Sequence, residues 1–301
     1  MNSPTPMRVE IGIGAAIVAV EEARPLILAS GDALPAGPFD PSVHRTFEQA
    51  LRQWSREQTG LMLGYVEQLY TFGDRGRHSL AGIGSEPHVV SVGYLALTRA
   101  EGERGAEWRG WYDLFPWEDR RAGRPPVVDR IAAQLEDWAG NDRERQARVA
   151  LNFPSGEEFD EERALDRYEL LYEAGMVPEA VRDGREAAPG GTLPGASLSH
   201  DHRRIAATAI ARLRAKLRYR PVIFELVPEH FTLTELQRAA EAIAGRSLHQ
   251  GNFRRLVERT GLVEPTGRRA PGTGGRPAAL YRFRRAVVRE RPATGIGPGR
   301  R

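Results

Sequence analysis

The 301-residue chain has no cysteine, which excludes disulfides and thiolate-bound metals and fits a reducing compartment. Lysine is nearly absent as well, Lys216 being the single one among 43 basic residues. No apolar run approaches the roughly 20 residues of a membrane-spanning helix. The first residues also lack the basic, apolar and small-residue succession of a signal peptide, so a cytoplasmic protein, nucleoid-associated through any DNA it binds, is expected. Net charge is small too, at +3, but that value conceals a division. From His200 onward there are 22 basic against 8 acidic residues, a net of +14, whereas the preceding 199 residues carry −11. An acidic body with a basic C-terminal unit points to a polyanionic partner on one side only.

What is present is clearest from Phe231 to Phe283. In FTLTELQRAAEAIAG, Thr232 or Thr234 caps a helix whose apolar positions Leu236, Ala239, Ala240 and Ile243 recur at helical spacing until Gly245 stops it. HQGNFRRLVERTG then places Phe253, Leu256 and Val257 on one face and Gln250, Asn252, Arg254, Arg255 and Arg259 on the others. A strand, a Gly/Pro/Arg-rich loop and a second strand with Leu280, Tyr281 and Phe283 follow. Helix, turn, helix and basic hairpin make a winged helix-turn-helix. The candidate DNA-contacting set is Thr232, Gln250, Asn252, Arg254, Arg255, Arg268, Arg269, Arg276 and Lys216. Gln250 and Asn252 suit adenine edges, Arg254 and Arg255 suit guanine or phosphate, and wing arginines suit backbone or a narrow minor groove.

Upstream, VEIGIGAAIVAV and PLILAS read as buried strands. HRTFEQALRQWSREQTGL reads as a helix with a Thr-Gly stop, and YVEQLYTFGD, HVVSVGYLAL and GAEWRGWYDLFPW read as further β-structure. The pattern is that of an α/β sandwich. Helices are expected at VVDRIAAQLEDWAG and from Glu157 to Ala174, as an element that covers a ligand cleft or makes a dimer contact. The Gly/Pro/Ala/Ser composition from 185 to 199 reads as a mobile linker. A helix from His202 to Leu217, ended by Pro221, leads into VIFEL as a strand. His200 and His202 read as capping or polar-interface histidines rather than metal ligands. The expected division is 8–184 body with helical insert, 185–199 linker, 200–230 connecting helix and strand, 231–290 winged helix, and 291–301 disordered tail.

AAIVAV, LRQWSREQTGL, EQLYTFGD and VVSVGYLAL resemble the Nudix fold as it occurs in Nudix-related transcriptional regulators. The connecting helix and a winged helix bearing NFRR and GGRPA are similar to the NrtR regulators, and the acidic insert with HDHRR is similar to their NadQ branch. Aligned on Gly60 and Leu61, the Nudix box has Phe39, Arg45, Gln53, Trp54, Ser55, Glu57 and Gln58 at its fixed positions. In Nudix hydrolases glutamates of that helix hold divalent cations; here Glu57 alone remains, beside Arg56.

The resemblance therefore implies no catalytic residues, no metal and no required cofactor. It implies a homodimeric repressor of NAD-biosynthesis genes on a near-palindromic operator, with ATP, NAD or ADP-ribose as effector. Arg52, Glu57, Arg77 and His88 are the candidate effector-binding residues. The rival readings are an active Nudix pyrophosphatase that recruits carboxylates such as Glu48, and an adaptor whose winged helix binds protein.

Overall fold

A computed structural model of the chain describes residues 9–74, 77, 88–99, 107–271 and 277–286. The expected disordered segments at 1–7 and 291–301 and the wing residue Arg276 lie outside the described residues. The body is built on one sheet. Its strands are β1 (Val9–Glu21), β2 (Arg24–Ala29), β3 (Ala36–Pro38), β4 (Val66–Phe72), β5 (His88–Leu97) and β6 (Glu107–Gly110), in the order β4-β5-β1-β2-β6 with β3 on β1. β1 and β5 run parallel over ten paired positions and the other pairs are antiparallel.

Both faces of the sheet are covered, so its central strands are apolar throughout rather than alternating. On one face Ile13, Ala15 and Ile17 pack with Ala50, Leu51 and Trp54 of α1 (Phe47–Thr59). The next residues in register, Ala16 and Val18, face a second core that contains Ile205, Ala209 and Leu213 of α7 (His202–Leu217). α1 begins at Thr46, whose side chain accepts from the Gln49 amide, and ends at Gly60 in the left-handed region.

The GAEWRGWYDLFPW segment is less β-rich than its sequence pattern indicates. β6 stops at Gly110, and α2 (Trp111–Leu114) with a 3-10 turn at Pro116–Glu118 turns the chain under the sheet, burying Trp111, Phe115 and Trp117 completely. The insert forms α3 (Pro126–Ala139), α4 (Arg143–Asn152), α5 (Ala164–Glu173) and α6 (Pro178–Arg182). The helix expected from Glu157 is α5, preceded by a 3-10 turn, and it packs along α7. The VIFEL segment is a 3-10 turn, not a strand, because Val222, Ile223 and Phe224 all turn inward.

Residues 185–199 contain no helix or strand, yet they are fixed and not a mobile linker. Leu193 and Leu198 are buried, and the backbone amides of Leu193, Ala196 and Ser199 donate to Met176, Asp113 and Asp32 carbonyls. Composition reported the missing periodicity, but the hydrogen bonds to distant residues had no local signature. α7, the expected connecting helix, is part of the core, with Ile205, Ala209, Leu213 and Leu217 buried.

The winged helix comprises α8 (Leu233–Ala244), α9 (Gln250–Thr260), β7 (Val263–Arg269) and β8 (Ala279–Phe283). Its α8 carbonyls have no helical partners at the C-terminal end, and the body supplies donors. Tyr112 Oη donates to Ala242 at 2.6 Å, Arg214 Nε to Ile243 at 2.9 Å, and the Arg120 amide to Gly245 at 2.7 Å. Gly245 sits at φ 74°, and a Cβ there would lie 2.5 Å from the Glu118 carbonyl, so only glycine closes this joint.

Glu118 holds the joint from beneath. Its fully buried carboxylate accepts from Arg167 Nε at 2.5 Å and Nη2 at 2.8 Å, and pairs with Arg214 Nη1. Burial pushes this carboxyl up, but Arg167 and Arg214 outweigh it and bring the pKa down to about 2. A folded pKa below the unfolded value gives stability that is present above about pH 4.5 and lost as pH falls toward 2. Glu118→Gln is expected to cost about 3–5 kcal/mol at neutral pH, since two buried arginines lose their counterion. In urea titrations between pH 4.5 and 2 the variant should lose stability less steeply than the parent; an unchanged slope would remove Glu118 from this role.

Candidate functional site

The exposed face of α9 follows from its anchors. Phe253 and Val257, four residues apart, are buried against the winged-helix core, and this turns Gln250, Asn252, Arg254, Arg255 and Arg259 to the surface. Arg255 Nη2 donates to Asn252 Oδ1 at 2.6 Å, which orients the asparagine amide group so that its NH2 remains to donate outward. Among the described residues the side chains of Arg254, Arg259 and Arg268 make no hydrogen bond or ion pair, so their charge is not spent inside the molecule. Arg269 reaches only the Pro277 carbonyl, at 3.1 Å. The hairpin bulges between Pro265 and Arg269, with Gly267 at φ 75°, and both Arg268 and Arg269 are exposed. Gln250, Asn252, Arg254, Arg255, Arg268 and Arg269 thus share one exposed, basic unit.

Two expected contacts do not belong to it. Thr232 is 8% exposed, and its hydroxyl accepts from the Glu235 amide while Glu235 accepts from the Thr232 amide. That reciprocal capping box is its task. Lys216 is turned away from the winged-helix face onto β4, where Nζ lies 3.1 Å from Glu67 and near the rings of Tyr65 and Tyr219. Helical periodicity cannot distinguish a cation that faces solvent from one that faces an acidic strand.

The four residues expected to bind an effector fall in three places. Arg52 and Glu57 line a cleft of about 730 Å³ on α1, with Glu48, Gln53, Arg56 and Met62. Arg52 is largely occupied there, pairing with Glu48 at 2.9 Å and donating to the carbonyls of Leu63 and Gly64. Glu57 is exposed and accepts from Gln53 at 3.1 Å. Arg77 lies elsewhere, bidentate on Glu169 and 3.6 Å over the Tyr172 ring. His88, at the start of β5, meets the Gly73 carbonyl at 2.9 Å.

A second cleft, of about 420 Å³, escaped the sequence reading. It is lined by Gly12, Gly14, Gly37, Ser91, His200 and His202, with aliphatic residues between them and no lysine or arginine. The alternate glycines of IGIG, Gly12 and Gly14, were its signal, because glycine inside a buried strand marks close approach. A Cβ at Gly14 would stand 3.3 Å from Ile205 of α7. His202 Nδ1 accepts from the Leu34 amide at 3.0 Å, which places the ring proton on Nε2 and ties the first turn of α7 to the cleft wall. Of the two roles expected for it, capping or a polar interface, His202 has the second, since Asp201 stands at the cap position of α7.

Glu48 and Glu57 are nine residues apart on α1, about 14 Å of helical rise. A divalent cation binds oxygen at roughly 2.0–2.6 Å, so these two carboxylates cannot share one ion. Among the described residues no group of three His, Asp or Glu assembles as a metal site.

Residues 223–283 match the family model described as the NrtR DNA-binding winged helix domain. The ADPR responsive transcriptional repressor NtrR of Acinetobacter baylyi is 44% identical over 86 residues, which is 29% of this chain and 34% of that protein. The match thus spans about a third of that relative's length. The fold is similar to that of Shewanella oneidensis NrtR in a crystal structure with a 27mer DNA, at TM-score 0.55 and 20% identity, covering 93% of this chain and 95% of that one. A MutT/nudix family protein from Enterococcus faecalis is similar at TM-score 0.51 and 14% identity, over 94% and 90% of the two chains. The architecture is a Nudix-like α/β body with extra helices followed by a winged helix.

Lys216→Met provides a check on the division of basic residues. It is expected to lower stability by about 1 kcal/mol through loss of a partly buried pair, while leaving the salt dependence of binding to any duplex unchanged. A slope reduced by about 1 would return Lys216 to the DNA-facing set.

Proposed function

We propose that the chain is a DNA-binding transcriptional repressor whose Nudix-like body senses an adenine nucleotide and does not cleave it. The observation that carries this reading is a basic recognition face bolted, through the α8 carbonyls, to a body whose α1 lacks a second carboxylate within reach of Glu57. The matching winged-helix family model and a relative described as an ADPR responsive repressor support it, and favour ADP-ribose over ATP and NAD as effector. NAD-biosynthesis genes as targets, and a homodimer on a near-palindromic operator, complete the proposal. A two-fold axis between two winged helices requires half-sites of matching symmetry.

On the operator, α9 enters the major groove. Asn252 and Gln250 read adenine edges, Arg254 and Arg255 hold guanine or phosphate, and Arg268, Arg269 and Arg276 grip the backbone beside it. The effector occupies the α1 cleft, where Arg56 and Glu57 are exposed to it. An effector acts only by favouring one arrangement of the winged helices over another. α7 supplies the route, since its first turn is bonded to the body and Arg214 near its end holds α8.

Three measurements test this. Duplex affinity against salt is expected to follow a log–log slope of about −5 for six neutralised phosphates; a chain indifferent to duplex at low salt is not a DNA regulator. Asn252→Ala should lose about 1–3 kcal/mol on the preferred sequence alone, whereas Arg268→Ala should weaken all duplexes equally and reduce the slope by about 1. Incubation with ADP-ribose and magnesium should release no mononucleotide. Steady turnover would establish the body as a pyrophosphatase with an accessory basic domain.

A further inference from the structure

A separate cavity of about 1180 Å³ opens where the body, the end of α7 and the winged helix meet. It is lined by Arg120, the 154–161 loop, Arg218 and Arg246, and shares no residue with the two clefts above. Arg120 is 9% exposed. Arg167 and Arg214, buried at least as deeply, share the Glu118 carboxylate, but Arg120 has no such partner. Its side chain makes one long hydrogen bond, Nε to the Trp117 carbonyl at 3.3 Å, and lies 5.1 Å over the Phe159 ring. Among the described residues no carboxylate approaches it to ion-pairing distance.

A cation withdrawn from water without a counterion is costly and persists where something supplies the anion. Its neighbours point the same way. Burial first, and then the charges of Arg124 and Arg167, outweigh the more distant Glu118 and Glu157 and hold the Arg120 pKa down to about 10. The Nε groups of Arg218 and Arg246 are buried without a partner, while their Nη groups meet Glu161 and Glu162.

The acids of the lining are arranged around this cationic floor. Arg218 meets Glu161 at 2.8 Å and Glu162 at 2.6 Å, Glu161 also lies 3.6 Å from Arg246, and Asp160 is taken by Arg163 at 3.3 Å. Glu157 and Glu158 stand exposed on the rim. Such a rim repels an extended polyanion but leaves room for a compact one to reach the guanidinium groups beneath.

We propose that Arg120, Arg218 and Arg246 form a binding site for the phosphate group of a small anion. The three side chains come from the body, the end of α7 and the winged helix, so the bound anion bridges all three. It gives the molecule an input distinct from the α1 cleft.

The test is thermal unfolding of the full chain in chloride, inorganic phosphate or pyrophosphate at matched ionic strength. Pyrophosphate at ~100 times its Kd should raise the parent Tm by on the order of 5 °C. Arg120→Gln should lose that shift and, in chloride, melt no lower than the parent, because the amide removes an unpaired buried cation. Arg246→Gln, at a half-exposed position, should lose most of the shift, and Arg255→Gln on the DNA face should keep it. Duplex affinity of Arg120→Gln in chloride should equal that of the parent. The proposal fails if the parent shows no shift, or if the shift survives Arg120→Gln as binding to the arginine-rich surface at large. It fails equally if Arg120→Gln melts well below the parent, which makes the arginine structural, or loses duplex affinity, which makes the phosphate that of DNA.

Discussion

One fully buried carboxylate, Glu118, holds the molecule together as a single body. It ends the 3-10 segment that follows β6 and α2, and satisfies two arginines from two other elements. Replacing such a triad by apolar side chains is often neutral for stability, so stability alone does not account for it. What an apolar core lacks is direction. Arg214, oriented by Glu118, presents its Nε to the Ile243 carbonyl, and beside it Tyr112 and the Arg120 amide take the carbonyls of Ala242 and Gly245. The angle of α8, and with it that of the recognition helix, is set by hydrogen bonds that tolerate little rotation.

α7 makes that arrangement informative. It is part of the sheet's second core through Ile205, Ala209 and Leu213, and the same continuous cluster runs on to Leu236 and Ile243 of α8 and Phe253 of α9. At its other end His202 is bonded to the Leu34 amide in the wall of the glycine-lined cleft. A shift at either end has no soft segment in which to dissipate, because close-packed cores repack in discrete steps.

The division of charge along the chain has two physical meanings. Part of the C-terminal positive excess is internal: Arg203 pairs with Glu179, Arg204 with Glu169, Lys216 with Glu67 and Arg218 with Glu161, so α7 and the acidic body neutralise each other. The arginines of α9 and the hairpin, Arg254, Arg255, Arg259, Arg268 and Arg269, face outward instead, as do Arg220 and Arg238. Net charge by segment therefore overstates the positive charge that is left exposed.

Periodicity made α8, α9, the hairpin and the central strands legible, because each is specified by neighbours three, four or two residues away. The glycine stops at Gly60 and Gly245 were legible for the same reason. What the sequence could not reveal depends on partners far along the chain. The 185–199 segment is fixed by amide bonds to Met176, Asp113 and Asp32. Lys216 and Arg77 are consumed by Glu67 and Glu169, and Arg120 is distinguished by the counterion it does not have. The sequence by itself determined which elements form and which helix face carries charge, since local spacing decides both. Tertiary structure alone decided which arginines are spent inside and which remain to bind, because the energy of a charge depends on what surrounds it in space.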